Sequence, residues 1–209
     1  MNLILPKKEK LIMTNAEDPL KYYYWPIASS FYKKRLLDVI SLLGNKRYEK
    51  ILDIGFGSGI LFPELRKKAG ELYGLETHDK VMDVQSALAD MGVRTFLSKG
   101  SILNMPYEEN FFDAIVSVST LEHVKELEEA SNEIVRVLKP GGVAVLGFPA
   151  RNFITDFIFT IFGNNPRELH PSSHKDILSV FDKKMLRGRV IKFPQYFFNL
   201  YVSVLFIKK

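Results

Sequence analysis

The chain contains no cysteine among its 209 residues. That absence removes disulfide scaffolds, cysteine–zinc sites and any thiolate nucleophile. No apolar run approaches the ~18 residues that a membrane-spanning helix requires. Proline and charge interrupt the first ten residues before a signal-peptide core can build. There is no internal repeat, no low-complexity tract and no linker rich in glycine, serine or proline. What is present is 46% hydrophobic and 25% charged, the balance of one ordinary globular domain. At this length folding buries roughly 70% of the unfolded surface, so the core needs no covalent staple. A soluble, cytoplasmic protein folded as one domain over 1–209 is expected.

The net charge is +5, unevenly placed. From Phe181 to Lys209 the basic residues are Lys183, Lys184, Arg187, Arg189, Lys192, Lys208 and Lys209, against the single acid Asp182. Such an end suits an anionic substrate, an anionic membrane surface or RNA. A solvated lysine-rich face is the plainer account of it.

Apolar spacing predicts a helix over 27–43, stopped by Gly44 and Asn45. Strand and helix then alternate: strand 50–54, helix 60–68 with Pro63 in its first turn, strand 71–76, helix 80–91, strand 93–97, strand 111–118, helix 122–138 and strand 143–148. The nearly unbroken apolar run 111–118 is that of a parallel strand covered on both faces. Beyond it, helices are expected over 153–162 and 173–184, and strands over 189–193 and 201–207. The pattern predicts an α/β fold of three layers, with a doubly wound, mostly parallel seven-stranded sheet and an antiparallel C-terminal edge hairpin. Residues 1–47 form an N-terminal extension and helix, 48–148 the binding core, and 149–209 substrate-side helices and closing strands.

The sharpest local signal is Asp53-Ile54-Gly55-Phe56-Gly57-Ser58-Gly59, between a strand and a helix. Glycines there permit a tight turn and let a ligand approach bare backbone beside a helix N-terminus. A dinucleotide fingerprint needs its third glycine at position 60, where Ile60 stands, so a nicotinamide reductase fits poorly. The following strand ends in Glu76, placed where a carboxylate can accept hydrogen bonds from two ribose hydroxyls.

The run Ile51–Gly59 together with Glu76, the segment 102–113 followed by Leu121-Glu122-His123-Val124, and Val137-Leu138-Lys139-Pro140-Gly141-Gly142 resemble, in order, the motifs of the class I, Rossmann-like S-adenosylmethionine (SAM)-dependent methyltransferases, in their small-molecule branch. The resemblance is strong over 48–148. It implies SAM as cofactor, with Asp53, Gly55, Phe56, Gly57 and Gly59 around its methionine end and Glu76 on the ribose diol. Thr77, His78 and Asp79 would flank the adenosine. Ser101 stands where many relatives carry an acid for the adenine amine, so its hydroxyl or the backbone of Ser101 and Ile102 would serve. Ser117, Val118 and Ser119 would face the transferring methyl.

A sulfonium methyl is already electrophilic, so catalysis is chiefly alignment in a dry pocket, with a base for hydroxyl or carbon acceptors. His123 is the candidate base, and packing at the start of the following helix is its structural alternative. His170 and His174 are candidates for substrate contact, although Ser173 and Asp176 form a helix-capping pattern that explains this stretch. As metal ligands the two histidines lack a third partner, so no metal is expected. Tyr24 and Trp25, in the run Tyr22–Trp25, would shape the acceptor pocket or staple the extension to the core. Phe153, Phe157, Phe159 and Phe162 suit an acceptor pocket, a core or the face of a homodimer. The Ser117-Val118-Ser119-Thr120 sequence lacks the proline-rich signature of nucleobase amine methylation, so DNA is not an expected partner. The expected function is methyl transfer from SAM to a small apolar or anionic acceptor. The alternatives are a SAM-binding subunit without turnover of its own and an RNA methyltransferase.

Overall fold

The computed structural model describes residues 3, 5–15, 18–150, 171–194 and 199–209. Seven strands form one sheet: β1 (Tyr48–Ile54), β2 (Ala69–Glu76), β3 (Phe96–Lys99), β4 (Phe112–Val118), β5 (Leu138–Pro149), β6 (Met185–Phe193) and β7 (Tyr201–Lys208). Their spatial order is β3-β2-β1-β4-β5-β7-β6. The first five are mutually parallel, while β7 runs antiparallel to both β5 and β6. The expected α/β architecture is present, with the C-terminal pair antiparallel and β7 inserted inside the sheet.

The helices are α1 (Leu20–Tyr24), α2 (Ser29–Leu42), α3 (Phe62–Arg66), α4 (Val81–Asp90), α5 (Leu127–Val137) and α6 (His174–Lys184). One face of the sheet carries α2, α3 and α4, whose Leu36, Val39, Phe62, Leu65, Val84 and Leu88 pack with Ile51 and Val116. The other carries α5 and α6, where Ile134, Val137, Ile177 and Phe181 pack with Leu52 and Ile115. Alternate residues of β1 and β4 therefore point into two different cores, which is why both strands read as continuous apolar runs.

Several boundaries depart from the periodicity: β5 begins at Leu138 rather than at 143, α3 spans only Phe62–Arg66 of the expected 60–68, and β3, the helix expected over 122–138 and β6 differ as well. The third strand begins at Phe96 rather than at 93, because Gly92 adopts φ +73° and Val93 N–H donates back to Leu88 O at 2.9 Å. This turn closes α4 and consumes the residues that looked like strand. The helix expected over 122–138 is a 3-10 turn, Leu121–His123, followed by α5, with Val124 extended between them. Ser172 accounts for the break: its N–H donates to Glu122 O and its hydroxyl to Val124 O, so these carbonyls are satisfied outside a helix. Strand β6 starts at Met185 and carries a register shift between Arg187 and Val190.

Much of the basic C-terminal charge is engaged locally. Lys183 and Lys184 pair with Glu128, Arg187 pairs with Asp182, and Lys208 donates to Leu138 O and Asn110 Oδ1. Arg187, Arg189 and Lys192 are exposed along β6, at the sheet edge, where charge discourages pairing with another chain. The helix expected over 153–162, the four phenylalanines named in it and His170 lie outside the described residues. Among the described residues no helix is long and apolar enough to cross a membrane.

Helix α6 begins with a reciprocal cap: Asp176 N–H donates to Ser173 Oγ at 3.3 Å and Ser173 N–H to Asp176 Oδ2 at 3.0 Å. Replacing Ser173 with alanine is expected to cost about 1 kcal/mol. That corresponds to a fall of roughly 2–4 °C in Tm for a chain of this size. Thermal unfolding followed by circular dichroism checks it, and an unchanged Tm would show that the cap contributes nothing.

Candidate active site

Strand β1 lies between β2 and β4, so the chain leaves it to one side and returns on the other, opening a crevice at the strands' carboxyl ends. A cavity of about 480 Å³ occupies this position, within the range of small-molecule sites. Its floor is the bend after β1. Gly55 has φ +74°, and a Cβ there would lie 2.0 Å from Thr120 Oγ1, which donates to Ile54 O. Gly57 has φ +51° and nothing within 4 Å of where its Cβ would stand, so its backbone is bare.

Glu76, at the end of β2, meets this bend. Its Oε1 accepts from Gly57 N–H at 3.2 Å and its Oε2 from Thr77 N–H at 2.6 Å, with Thr77 Oγ1 at a long 3.5 Å. A carboxylate offers about four lone-pair directions, so Oε1 keeps one for a further donor and Oε2 gains one by giving up the long Thr77 hydroxyl contact, as a vicinal diol requires. His78 braces the same bend from behind, with Nε2 3.2 Å from Gly57 O and its ring edge-on to Phe56.

Of the sequence-predicted residues, Asp53, Gly55, Phe56, Gly57, Glu76, Thr77, Ser101, Ile102, Val118 and His123 line this one cavity. Gly59 does not; it packs against Val84, Leu88 and Phe62. Ser117 is buried in β4 and lies outside the lining, as does His78. Ser101 lines the cavity, but its Oγ accepts from Leu103 N–H at 3.1 Å and so also shapes its own turn. His123 is exposed at the cavity wall. His174 sits at the start of α6, away from the lining, where burial holds its pKa below the ordinary value.

The N-terminal extension does cover the crevice, through residues other than those expected. Asp18 accepts from Thr14 N–H, Thr14 Oγ1 and Leu20 N–H, fixing Thr14, Asn15, Asp18 and Pro19 in the wall. In α1 the inward pair is Leu20 and Tyr23, three residues apart on one face. Tyr23 therefore lines the cavity, while Tyr24 and Trp25 turn to a separate shallow depression with Lys8 and Lys21.

Periodicity also passed over a polar cluster at the far end of the cavity. Arg35 of α2, 8% exposed, places Nη1 3.2 Å from Ser119 Oγ and Nη2 3.3 Å from Tyr23 OH. Ser119 Oγ lies 3.0 Å from the OH of buried Tyr201. Ser119 holds φ +57°, an uncommon backbone for a serine, pinned by its N–H to Gly147 O at 2.7 Å. A charged residue inside the apolar stripe Leu36, Val39, Ile40 was the signal available in the sequence.

Burial sets the electrostatics. Asp53, 3% exposed, has its pKa pushed well above the usual carboxylate range by desolvation and then by the Glu76 charge. A cationic group on a ligand would restore its charge. Burial lifts Glu122 to about 8, against the opposing pull of its own backbone and of Arg35. A nucleoside carrying a diol and a cationic amino-acid tail fits this lining: Glu76 for the diol, bare backbone at Gly57 and a desolvated carboxyl at Asp53.

Residues 52–146 match a family model described as a methyltransferase domain. The sterol 24-C-methyltransferase of Schizosaccharomyces pombe is 33% identical over 105 residues, 48% of this chain and 28% of that protein. An uncharacterized methyltransferase of Bacillus subtilis is 30% identical over 115 residues, 54% of this chain and 62% of its own length. The chain thus spans less than two thirds of these relatives. The crystal structure of the N-methyltransferase NodS from Bradyrhizobium japonicum, in complex with S-adenosyl-L-homocysteine, superposes with a TM-score of 0.72 at 18% identity, covering 94% of each chain. Residues 52–146 thus match a methyltransferase domain in sequence, and the chain shares the Rossmann-like fold of that solved methyltransferase.

Because Glu122 holds its proton more tightly folded than unfolded, its stabilising effect is complete below about pH 4.5 and is lost as pH rises towards 8. Asp53 acts in the same direction. Glu122→Gln keeps the shape of the neutral acid, so its Tm is expected to decline less than the parent's between about pH 5 and about pH 8. Parallel Tm profiles for the two proteins would refute the assignment.

Proposed function

We propose that the chain is a methyltransferase that takes its methyl group from SAM and delivers it to a small-molecule acceptor, apolar or anionic in character. The observation that carries this reading is the meeting of Glu76 with the bend at Gly57 inside one cavity. The family match over 52–146 and the likeness to methyltransferases in sequence and fold support it. When bound, SAM supplies a sulfonium-activated methyl group.

The chain's own residues then have mainly to bind, align and exclude water. Glu76 and the bare bend orient the nucleoside. Asp53 faces the cationic amino-acid part. Tyr23, Leu36, Ile60, Leu61 and Val118 give the cavity apolar walls, and Thr14, Asn15, Asp18 and Pro19 complete its lining. His123 stands where it can accept a proton from a hydroxyl or carbon-acid acceptor. An amine acceptor needs no such group once it is neutral. The exposure of His123 also favours a second reading, a SAM-binding subunit without turnover of its own. Methyl transfer by the purified chain to any member of a broad acceptor panel removes that second reading.

Titration calorimetry with SAM and S-adenosylhomocysteine tests the proposal. Binding of both is expected, with affinity lowered about tenfold or more in Glu76→Ala and in Gly57→Val. The first loses the diol acceptor; the second forces a β-branched residue to positive φ at the bend. Absence of binding of either ligand to the parent protein would sink the reading.

A further inference from the structure

The turn between α1 and α2 carries an apolar tip that lies outside the cavity. Trp25 is 49% exposed and Ile27 80% exposed, with exposed Pro26 between them. The turn is fixed from behind: the Trp25 carbonyl accepts from Ala28 N–H at 3.1 Å and from Ser29 N–H at 2.8 Å, and Tyr24 OH donates to Pro6 O at 2.6 Å. Pro26 has no N–H to leave unsatisfied if the tip is taken out of water. Beside the tip stand Lys8 and Lys21, which share the shallow depression of Tyr22, Tyr24, Trp25 and Pro26. Lys7 and Lys10 flank Lys8 in the extension, all of them exposed, with Glu9 the one acid over 7–10. Among the described residues none of these lysines forms an ion pair.

We propose that this tip, Trp25 to Ile27 with Lys8 and Lys21 beside it, docks the protein on the surface of an anionic lipid bilayer. Its two parts match the two layers of such a surface. An indole and an isoleucine gain by leaving water for the boundary of the acyl chains, where tryptophan keeps its N–H at headgroup level. The lysines lay their stems over apolar surface and bring their charges to the phosphates. Charge complementarity selects an acidic surface, since Lys7, Lys8, Lys10 and Lys21 outweigh Glu9. A nucleic acid fits less well. Pro26 and Ile27 offer no face for base stacking, and the Tyr22 ring is already stacked on Tyr32 at 5.2 Å, with Lys21 Nζ 4.9 Å from its centre. A protein partner or a second copy would need roughly 20–30 residues a side, far more than Trp25, Pro26 and Ile27 present. Docking of this kind does not depend on what the cavity binds, so it stands or fails separately from the methyl-transfer reading.

Trp25 is the sole tryptophan of the chain, so its fluorescence reports on the tip directly. With vesicles of phosphatidylcholine and phosphatidylglycerol in equal parts, its emission is expected to move to shorter wavelength and to be quenched when the acyl chains are brominated. Binding to vesicles of phosphatidylcholine alone should be about tenfold or more weaker, and binding to the mixed vesicles should weaken as salt is raised. Ile27→Asp, at an exposed position, should lower affinity for the mixed vesicles about tenfold. Lys8→Glu combined with Lys21→Glu should remove most of the preference for anionic vesicles. Absence of binding to the mixed vesicles overturns the proposal. Binding that leaves Trp25 unquenched, or that a folded Ile27→Asp protein retains in full, overturns it too, and makes the basic strand β6 the contact. So does stronger quenching by polyuridylate than by vesicles, which would make the tip a base-stacking site. A dimer that sediments without lipid and that Ile27→Asp dissociates has the same effect. If either variant does not fold, bromine quenching in the parent protein still decides.

Discussion

The backbone amide of Gly57 donating to the Glu76 carboxylate is the contact around which the site is organised. It ties the bend after β1 to the tip of β2, two strands that are adjacent and parallel. It forms only because β2 and β4 flank β1 on opposite sides, leaving a gap above the strand ends that no side chain of the sheet fills. Gly55 lets Thr120, beyond β4, close against the bend from the other flank. Three strand ends thus converge on one turn of backbone, and the cavity is the space they cannot occupy.

Charge is distributed along that space with a consistent sense. At the ends of β1 and β2 stand two carboxyl groups, the desolvated Asp53 and Glu76, the first raised in pKa partly by the second. At the β4 and β7 end stands a single buried guanidinium with neutral hydroxyl partners. A low-dielectric cavity with acid at one end and a fixed cation at the other orients a dipolar ligand before any close contact is made. Asp18, meanwhile, spends its carboxylate on backbone and hydroxyl donors of the extension, holding the roof in place.

What could be read from the residues alone divides along physical lines. Strands β1 and β4 were legible because burial on both faces leaves no polar alternation. The glycine bend and Glu76 were legible because each marks the end of a strand, where local sequence and site position coincide. The start of β3 was not, since Val93 serves the turn that closes α4, and an apolar residue looks the same in either role. In the run Tyr22–Trp25 the aromatic character is plain, but α1 has only five residues, too short for periodicity to say which ring faces inward. Ser119 joins Arg35 across 84 residues of chain and Tyr201 joins Ser119 across a further 82, a juxtaposition that only the sheet creates. Arg35 itself did carry a local mark, a charge at a core position of α2.

The insertion of β7 between β5 and β6 makes the place of β6 in the sheet depend on β7. Strand β6 precedes β7 in the chain yet pairs only with it, so it has no berth on the sheet until β7 has docked along β5. Until then the apolar flank of β5, from Val143 to Phe148, is an open edge ready to recruit any extended strand. Tyr201 arrives with that same docking. The wall at the guanidinium end therefore depends on a strand that follows the rest of the sheet in the chain, and it is complete only where β7 lies along β5.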